Sequence, residues 1–176
     1  MTMLSTQSIA LVYTAKYLIV IPLLMVVIDF LRAPVDERHV LLKRSVLASV
    51  IAIALAKIGG ALYYDPRPFA AHHFTPILAH APDNGFPSDH TLLAFTCVFL
   101  LLGQLSISEM ILTGMAAVLV AIARVHIGLH SPLDIAGSIL FAAIAVATSI
   151  RVFPSPWVQK GRQRKEEQSN TPRGKI

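Results

Sequence analysis

The sequence predicts an all-α protein, a polytopic membrane bundle of about five to six transmembrane helices, and three observations predict it. The 176 residues are 55% hydrophobic and only 14% charged, with a mean hydropathy of +0.64. That is too apolar for the polar outer faces of a soluble domain and far too apolar for disorder. Several stretches of roughly 15 to 22 residues carry almost no charge, close to the ~20 that a helical crossing needs. The Lys and Arg residues behind the net charge of +5 and the pI near 9.7 cluster beside those stretches. Such clustering is a topology signal, and no nucleic-acid partner is expected.

Ile9 to Leu31 forms the first span, with Lys16 inside it. A lysine seven residues into a span must snorkel or face protein, so the residues before it belong either to the span or to the interface. This segment has no basic leader and no small-residue cleavage site, so it is not read as a removable signal peptide. Val46 to Tyr64 forms the second span and carries Lys57; His90 to Leu105 forms a short third, Ile107 to Ala123 a fourth and Pro132 to Ile150 a fifth. From Arg151 onward the composition turns basic and polar. Residues 1–155 are therefore expected to form one membrane domain, and residues 156–176 a basic, disordered cytoplasmic tail. The single cysteine, Cys97, lies inside an apolar run, which excludes an intramolecular disulfide and a cysteine zinc site.

Five spans put the chain ends on opposite sides. Arg32, Arg38, Lys43, Arg44, Arg151, Lys160, Arg162, Arg164, Lys165, Arg173 and Lys175 share one side, while only Arg67 and Arg124 fall on the other. This asymmetry predicts a cytoplasmic C-terminus, with residues 65–89 and 125–131 facing outward.

Those outward segments hold most of the chemistry-bearing groups: of seven histidines only His39 lies outside residues 72–130. Three constellations stand out. In Asp65-Pro66-Arg67-Pro68-Phe69, two prolines fix the backbone around an arginine in an extended form. Its planar fork suits a phosphate, although a snorkelling arginine at a helix end has the same appearance. In Phe86-Pro87-Ser88-Asp89-His90, Ser88 fits as the N-cap of the third span, leaving first-turn amides beside a hydroxyl and an imidazole, an anion site. A capped helix with a surface histidine is the plainer alternative. In Arg124 through Asp134, Ser131 fits as N-cap with Pro132 at the first helical position, placing Asp134 in the first turn close to His130. A carboxylate on one ring nitrogen leaves the other as a nucleophile; alternatively, Asp134 merely caps the helix.

Together these constellations resemble the phosphatidic acid phosphatase type 2 superfamily. Its pattern is a lysine and Arg-Pro, then Pro-Ser-Gly-His, then Ser-Arg followed after five residues by His and after three more by Asp. Arg67-Pro68, Pro87-Ser88-Asp89-His90, and Arg124 with His130 and Asp134 occupy those places in order, over roughly residues 50 to 150. Asp89 stands for the usual glycine and Ala123 for the serine. The family lysine stands seven positions before its Arg-Pro, whereas Lys57 stands ten before Arg67, turned about 300° further on a continuous helix. Pro-Arg-Pro-Phe and Asp-Asn-Gly-Phe-Pro-Ser-Asp-His look like the bacterial undecaprenyl-diphosphate phosphatase branch associated with bacitracin resistance.

The resemblance implies His130 as nucleophile, Asp134 as its orienting partner and His90 as general acid. It implies Arg67, Ser88, Arg124 and Lys57 as holders of the transferred phosphoryl group, with no cofactor and no metal. The expected reaction is hydrolysis of undecaprenyl diphosphate to undecaprenyl phosphate and phosphate, which recycles the carrier lipid of peptidoglycan biosynthesis without an obligate protein partner. Phosphatidic acid or phosphatidylglycerol phosphate fits the same physical description. Two rivals stay open: a metal hydrolase built from His72, His73, His80, Asp83, Asp89 and His90, and a transporter or non-catalytic lipid-headgroup binder using the same cations.

Overall fold

A computed structural model describes residues 6–154, so the predicted tail at 156–176 lies outside the described residues. The described chain is a helical membrane bundle. The first predicted span is two helices, α1 (Thr6–Tyr17) and α2 (Val20–Arg32), separated by a turn at Leu18 and Ile19. Pro22 accounts for the break. It has no N–H to give the Leu18 carbonyl and its ring crowds that oxygen, which accepts from Ile21 N at 3.1 Å instead.

The helix of the second predicted span, α3 (Val35–Leu62), starts eleven residues before the apolar run. Pro34 precedes it, and Asp36 and Glu37 lie in its first turn, where the helix dipole favours carboxylates. The charged residues ahead of the apolar run thus belong to the helix itself, as its N-terminal turns. There Arg44 is buried and its Nε donates to the Phe153 carbonyl at 2.7 Å. A four-residue helix α4 (Pro68–Ala71) follows, then α5 (Asp89–Leu100), α6 (Ile107–His126) and α7 (Pro132–Val152).

Four helical stretches are long and apolar enough to cross a membrane: Ile9–Arg32, Val35–Leu62, Ile107–His126 and Pro132–Val152. The third predicted span is different. α5 has 12 residues, about 18 Å at 1.5 Å per residue, against a hydrocarbon core of about 30 Å. Its place in the bundle makes a short helix tolerable, because α2, α3, α6 and α7 all pack on it. Thr91, Leu92, Ala94, Thr96, Cys97 and Val98 are buried there, so neighbouring protein covers the middle of the helix.

The packed faces are rich in alanine: Ala48, Ala52, Ala94, Ala117, Ala123, Ala142 and Ala145 are buried. Small side chains let helices approach closely where no hydrophobic force drives them together. Large apolar residues such as Val46, Val50, Ile111, Leu112, Met115 and Leu140 point outward, the reverse of a water-soluble fold.

All the connections that carry the chemistry lie at one end. Phe69 N donates to Gly128 O at 3.2 Å and Ser131 Oγ to Asp65 Oδ2 at 2.6 Å, joining the α3–α4 and α6–α7 segments. The Arg32–Glu109 ion pair and the Arg44–Phe153 bond join the opposite end.

Candidate active site

At the end that gathers the α3–α5 and α6–α7 connections, α7 begins with a capping box. Ser131 Oγ accepts from Asp134 N at 3.2 Å, and Asp134 Oδ2 accepts from Ser131 N at 2.9 Å. Pro132 sits at the first helical position, where its missing N–H costs nothing. The cap fixes Asp134 directly under His130, and both side chains are buried. The helix start predicted from the sequence, with Ser131 as N-cap, Pro132 first and Asp134 in the first turn close to His130, is observed.

His130 Nδ1 lies 2.9 Å from the Gly85 carbonyl and 3.2 Å from Asp134 Oδ2. Its Nε2 lies 3.3 Å from Arg67 Nη1 and 3.2 Å from Arg124 Nη2. Both partners of Nδ1 accept only, and both partners of Nε2 donate only. The network therefore assigns the proton to Nδ1 and leaves the Nε2 lone pair between two guanidinium groups. Burial holds His130 below the ordinary histidine pKa; Asp134 opposes that shift, and the Arg124 and Arg67 charges add to it. The ring is accordingly neutral near pH 7, as a nitrogen nucleophile requires.

Arg67 occupies the extended position ahead of α4, with φ −54° and ψ 139°, as its flanking prolines predict. It is buried, and besides His130 it donates from Nη1 to Leu129 O at 3.0 Å and from Nε to Asp83 Oδ1 at 2.6 Å. That bond holds the Asp83 carboxyl below the usual carboxylate range. Arg124, in the last turn of α6, is buried, and its Nε has no acceptor among the described residues. An anion seated beside His130 Nε2 meets both guanidinium groups.

Ser88 stands at the N-cap position of α5 and is fully buried, but its hydroxyl makes no cap bond. It accepts from Thr91 Oγ1 at 3.1 Å, which leaves its own proton to donate elsewhere. The Ser88 carbonyl accepts from Ser138 Oγ of α7 at 2.9 Å, tying the start of α5 to the helix that carries Asp134. His90 is half-buried in the first turn of α5, within electrostatic reach of Arg124, Asp89, His130 and His80. Lys57 is exposed on α3 and is not among the hydrogen-bond partners of Arg67, Arg124 or His130. The position seven before Arg67 holds Gly60, whose carbonyl is taken by Asn84 Nδ2 at 2.8 Å.

Four contributors were given no part in this site by the sequence reading, which considered Asp83 only as a metal ligand. Gly85 presents its carbonyl to His130 from a place with no room for a side chain, since a Cβ there would meet Asp134 Oδ2 at 2.8 Å. Asn84 holds the segment in place: its amide donates to Gly60 O and Tyr63 O, and its Oδ1 accepts from Asp65 N and Phe86 N. Asp83 and Thr91 orient Arg67 and Ser88. The Asp-Asn-Gly string was a visible turn signal; its partners were not visible. Among the described residues, no three His, Cys, Asp or Glu side chains come together as a metal-binding group.

Residues 41–157 match the family model described as the PAP2 superfamily. The chain is 31% identical over 133 residues to YbjG of Escherichia coli, an alignment covering 76% of this chain and 67% of that one. It is 33% identical over 140 residues to the bacitracin transport permease protein BcrC of Bacillus licheniformis, covering 76% and 65%. To the undecaprenyl-diphosphatase BcrC of Bacillus subtilis it is 35% identical over 85 residues, covering 47% and 42%. The chain thus spans about two thirds or less of the length of these curated relatives. The crystal structure of Aquifex aeolicus LpxE superposes with a TM-score of 0.62 at 21% identity, covering 85% of this chain and 88% of that one, a likeness of fold.

Proposed function

This chain belongs to the PAP2 superfamily, and from that membership we propose that it is a membrane lipid phosphatase converting undecaprenyl diphosphate to undecaprenyl phosphate and inorganic phosphate. The observation that carries the reading is the environment of His130: two acceptors on Nδ1, two guanidinium groups at Nε2. In the proposed reaction, Nε2 attacks the distal phosphorus and the bond to the bridging oxygen breaks. His90 gives that oxygen a proton, and the lipid monophosphate departs. Water then attacks the phosphohistidine, giving its proton to His90, and inorganic phosphate leaves. Asp134 and Gly85 steady the Nδ1 proton as the ring becomes positive. Arg67 and Arg124 stabilise charge on the phosphoryl oxygens, with Ser88 donating its free hydroxyl proton. Lys57, exposed on α3, is assigned no role.

A polyprenyl substrate fits the site's position at the end of an apolar bundle, where the tail stays in the bilayer while the headgroup reaches the cations. A groove of about 300 Å³ between α3 and α5, lined by Ile53, Leu92, Leu93 and Asp89 among others, starts beside the first turn of α5. The distribution of basic residues supports an outward-facing site and a cytoplasmic C-terminus. On this reading the enzyme recycles the carrier lipid on the outer face of the bacterial inner membrane, the activity named for the Bacillus subtilis relative. The permease named for the Bacillus licheniformis relative represents the rival, in which the same cations bind a headgroup without hydrolysis. Turnover of undecaprenyl diphosphate, phosphatidic acid and phosphatidylglycerol phosphate, compared side by side in detergent, tests the proposal. The expected order puts the polyprenyl diphosphate first. Preference for a glycerol phosphate overturns the substrate assignment, and no phosphate release from any of them overturns the hydrolase reading.

A further inference from the structure

We propose that Asp83 is a positioning residue that sets the aim of Arg67 at the transferred phosphoryl group, an inference that rests on the phosphohydrolase reading of the site. A guanidinium carries five N–H donors in one rigid plane, and three of the five in Arg67 have protein acceptors. Nε donates to Asp83 Oδ1 at 2.6 Å, and Nη1 reaches Leu129 O at 3.0 Å and His130 Nε2 at 3.3 Å. The Nη2 donors have no acceptor among the described residues. Two fixed points, Asp83 at Nε and Leu129 at Nη1, determine where a rigid fork directs its third corner. Without Asp83, the plane is free to pivot about the Leu129 contact.

Asp83 is well placed to serve as a fixed point. Its side chain is 59% exposed, so surrounding packing does not hold it, but its backbone adjoins the most firmly tied residue of the segment. Asn84 makes four hydrogen bonds to the end of α3 and to residues 65 and 86. Gly85 N donates to Asp65 O at 2.8 Å. The bond to Arg67 is also charge-assisted, and both its length and its type favour strength. Electrostatics demands such a partner, because two buried guanidinium groups meet at one imidazole nitrogen and repel each other. His80 Nδ1, 3.9 Å from Asp83 Oδ1, is the nearest other group that could share the carboxylate.

A carboxylate beside an anion site has a second, opposite consequence, which makes the proposal testable by sign. If Asp83 only added negative charge, removing it would strengthen anion binding. If it aims Arg67, removing it weakens anion binding despite the relief of repulsion. The experiment uses the full-length chain in detergent, as wild type, Asp83→Ala and Asp83→Asn, with thermal unfolding to establish the folded fraction. Inorganic phosphate affinity is measured by ³¹P line broadening, and kcat and KM on undecaprenyl diphosphate. The proposal expects Asp83→Ala to bind phosphate several-fold more weakly and to lose about 10- to 100-fold in kcat, the scale of a small misplacement of a catalytic group. Asp83→Asn keeps an oxygen acceptor and recovers most of both. Tighter phosphate binding in both variants, equal losses in both, or an unchanged kcat in folded Asp83→Ala overturns it. A wild type that binds phosphate but hydrolyses no lipid condemns the hydrolase reading while the phosphate-affinity sign still judges Asp83.

Discussion

Asp134 Oδ2 lies 3.2 Å from His130 Nδ1 and 2.9 Å from Ser131 N, so one carboxylate oxygen both orients the imidazole and caps the helix that carries it. The Gly85 carbonyl shares the ring proton at 2.9 Å. A second acceptor on Nδ1 means that the tautomer does not depend on Asp134 alone.

The first prediction follows from that sharing. Asp134→Asn retains the tautomer through Gly85 and is expected to lose about 10- to 100-fold in kcat. Asp134→Ala, which also removes the second acceptor on Nδ1 and the cap, loses on the order of 10²- to 10⁴-fold and about 1 kcal/mol of stability. Steady-state kinetics beside denaturation of the same samples checks it. A larger loss in Asn than in Ala contradicts the shared-acceptor account.

The pH dependence has a definite sign. The His130 pKa is lowered, first by burial and also by Arg124 and Arg67, while Asp134 raises it. The neutral ring is the nucleophile, so kcat/KM should rise with pH through a midpoint below the ordinary histidine value of about 6.5. Asp134→Asn removes the opposing influence and moves that limb to lower pH. Arg124→Gln removes a cation and moves it to higher pH, at lower overall activity. Profiles of the three enzymes decide the matter; a limb that moves the same way in both variants contradicts the assignment.

Gly85 supplies a steric prediction. A Cβ there would meet Asp134 Oδ2 at 2.8 Å and Asp65 O at 3.2 Å, and neither the carboxylate nor the backbone can yield without disturbing His130. Gly85→Ala is expected to abolish measurable turnover while the protein still folds and inserts. Activity near wild type would show that the Asp83–Phe86 segment can adapt.

Thr91 and Ser88 supply a fourth. Thr91→Val keeps the shape but leaves the Ser88 hydroxyl without its donor, so that hydroxyl can turn its proton away from the phosphoryl group. The expected result is a fall of about tenfold in kcat, rescued by Thr91→Ser; equal losses in Val and Ser would assign Thr91 to packing alone.

The spans were legible in the sequence because lipid imposes long apolar runs that composition alone exposes. What composition could not show was how helices meet. Pro22 breaks the first span, the charged residues 35–45 continue α3, and four helices pack on the short α5. The same division runs through the site. Ser131, Pro132 and Asp134 announce a helix start by local rules, and His130 follows from them. The approach of Arg67 and Arg124 to one nitrogen rests on separated segments, and only the resemblance of the whole pattern brought them together. Gly85, Asn84 and Asp83 lie in a loop whose path follows no helical period. Lys57 entered through the resemblance; it lies one turn before Gly60 on α3, where its side chain is exposed.

The central claim is that His130 Nε2 takes the phosphoryl group, and trapping the covalent intermediate tests it most directly. His90→Ala slows the attack of water, whereas a nitrophenyl phosphate has a leaving group that needs no proton, so the intermediate should accumulate. Rapid quenching without acid, followed by mass analysis of the peptides, reads its position. The account predicts phosphate on the His130 peptide, attached at Nε2, and none when His130→Ala is added. Phosphate on another residue, or none on the enzyme while nitrophenol is released in a burst, would contradict it.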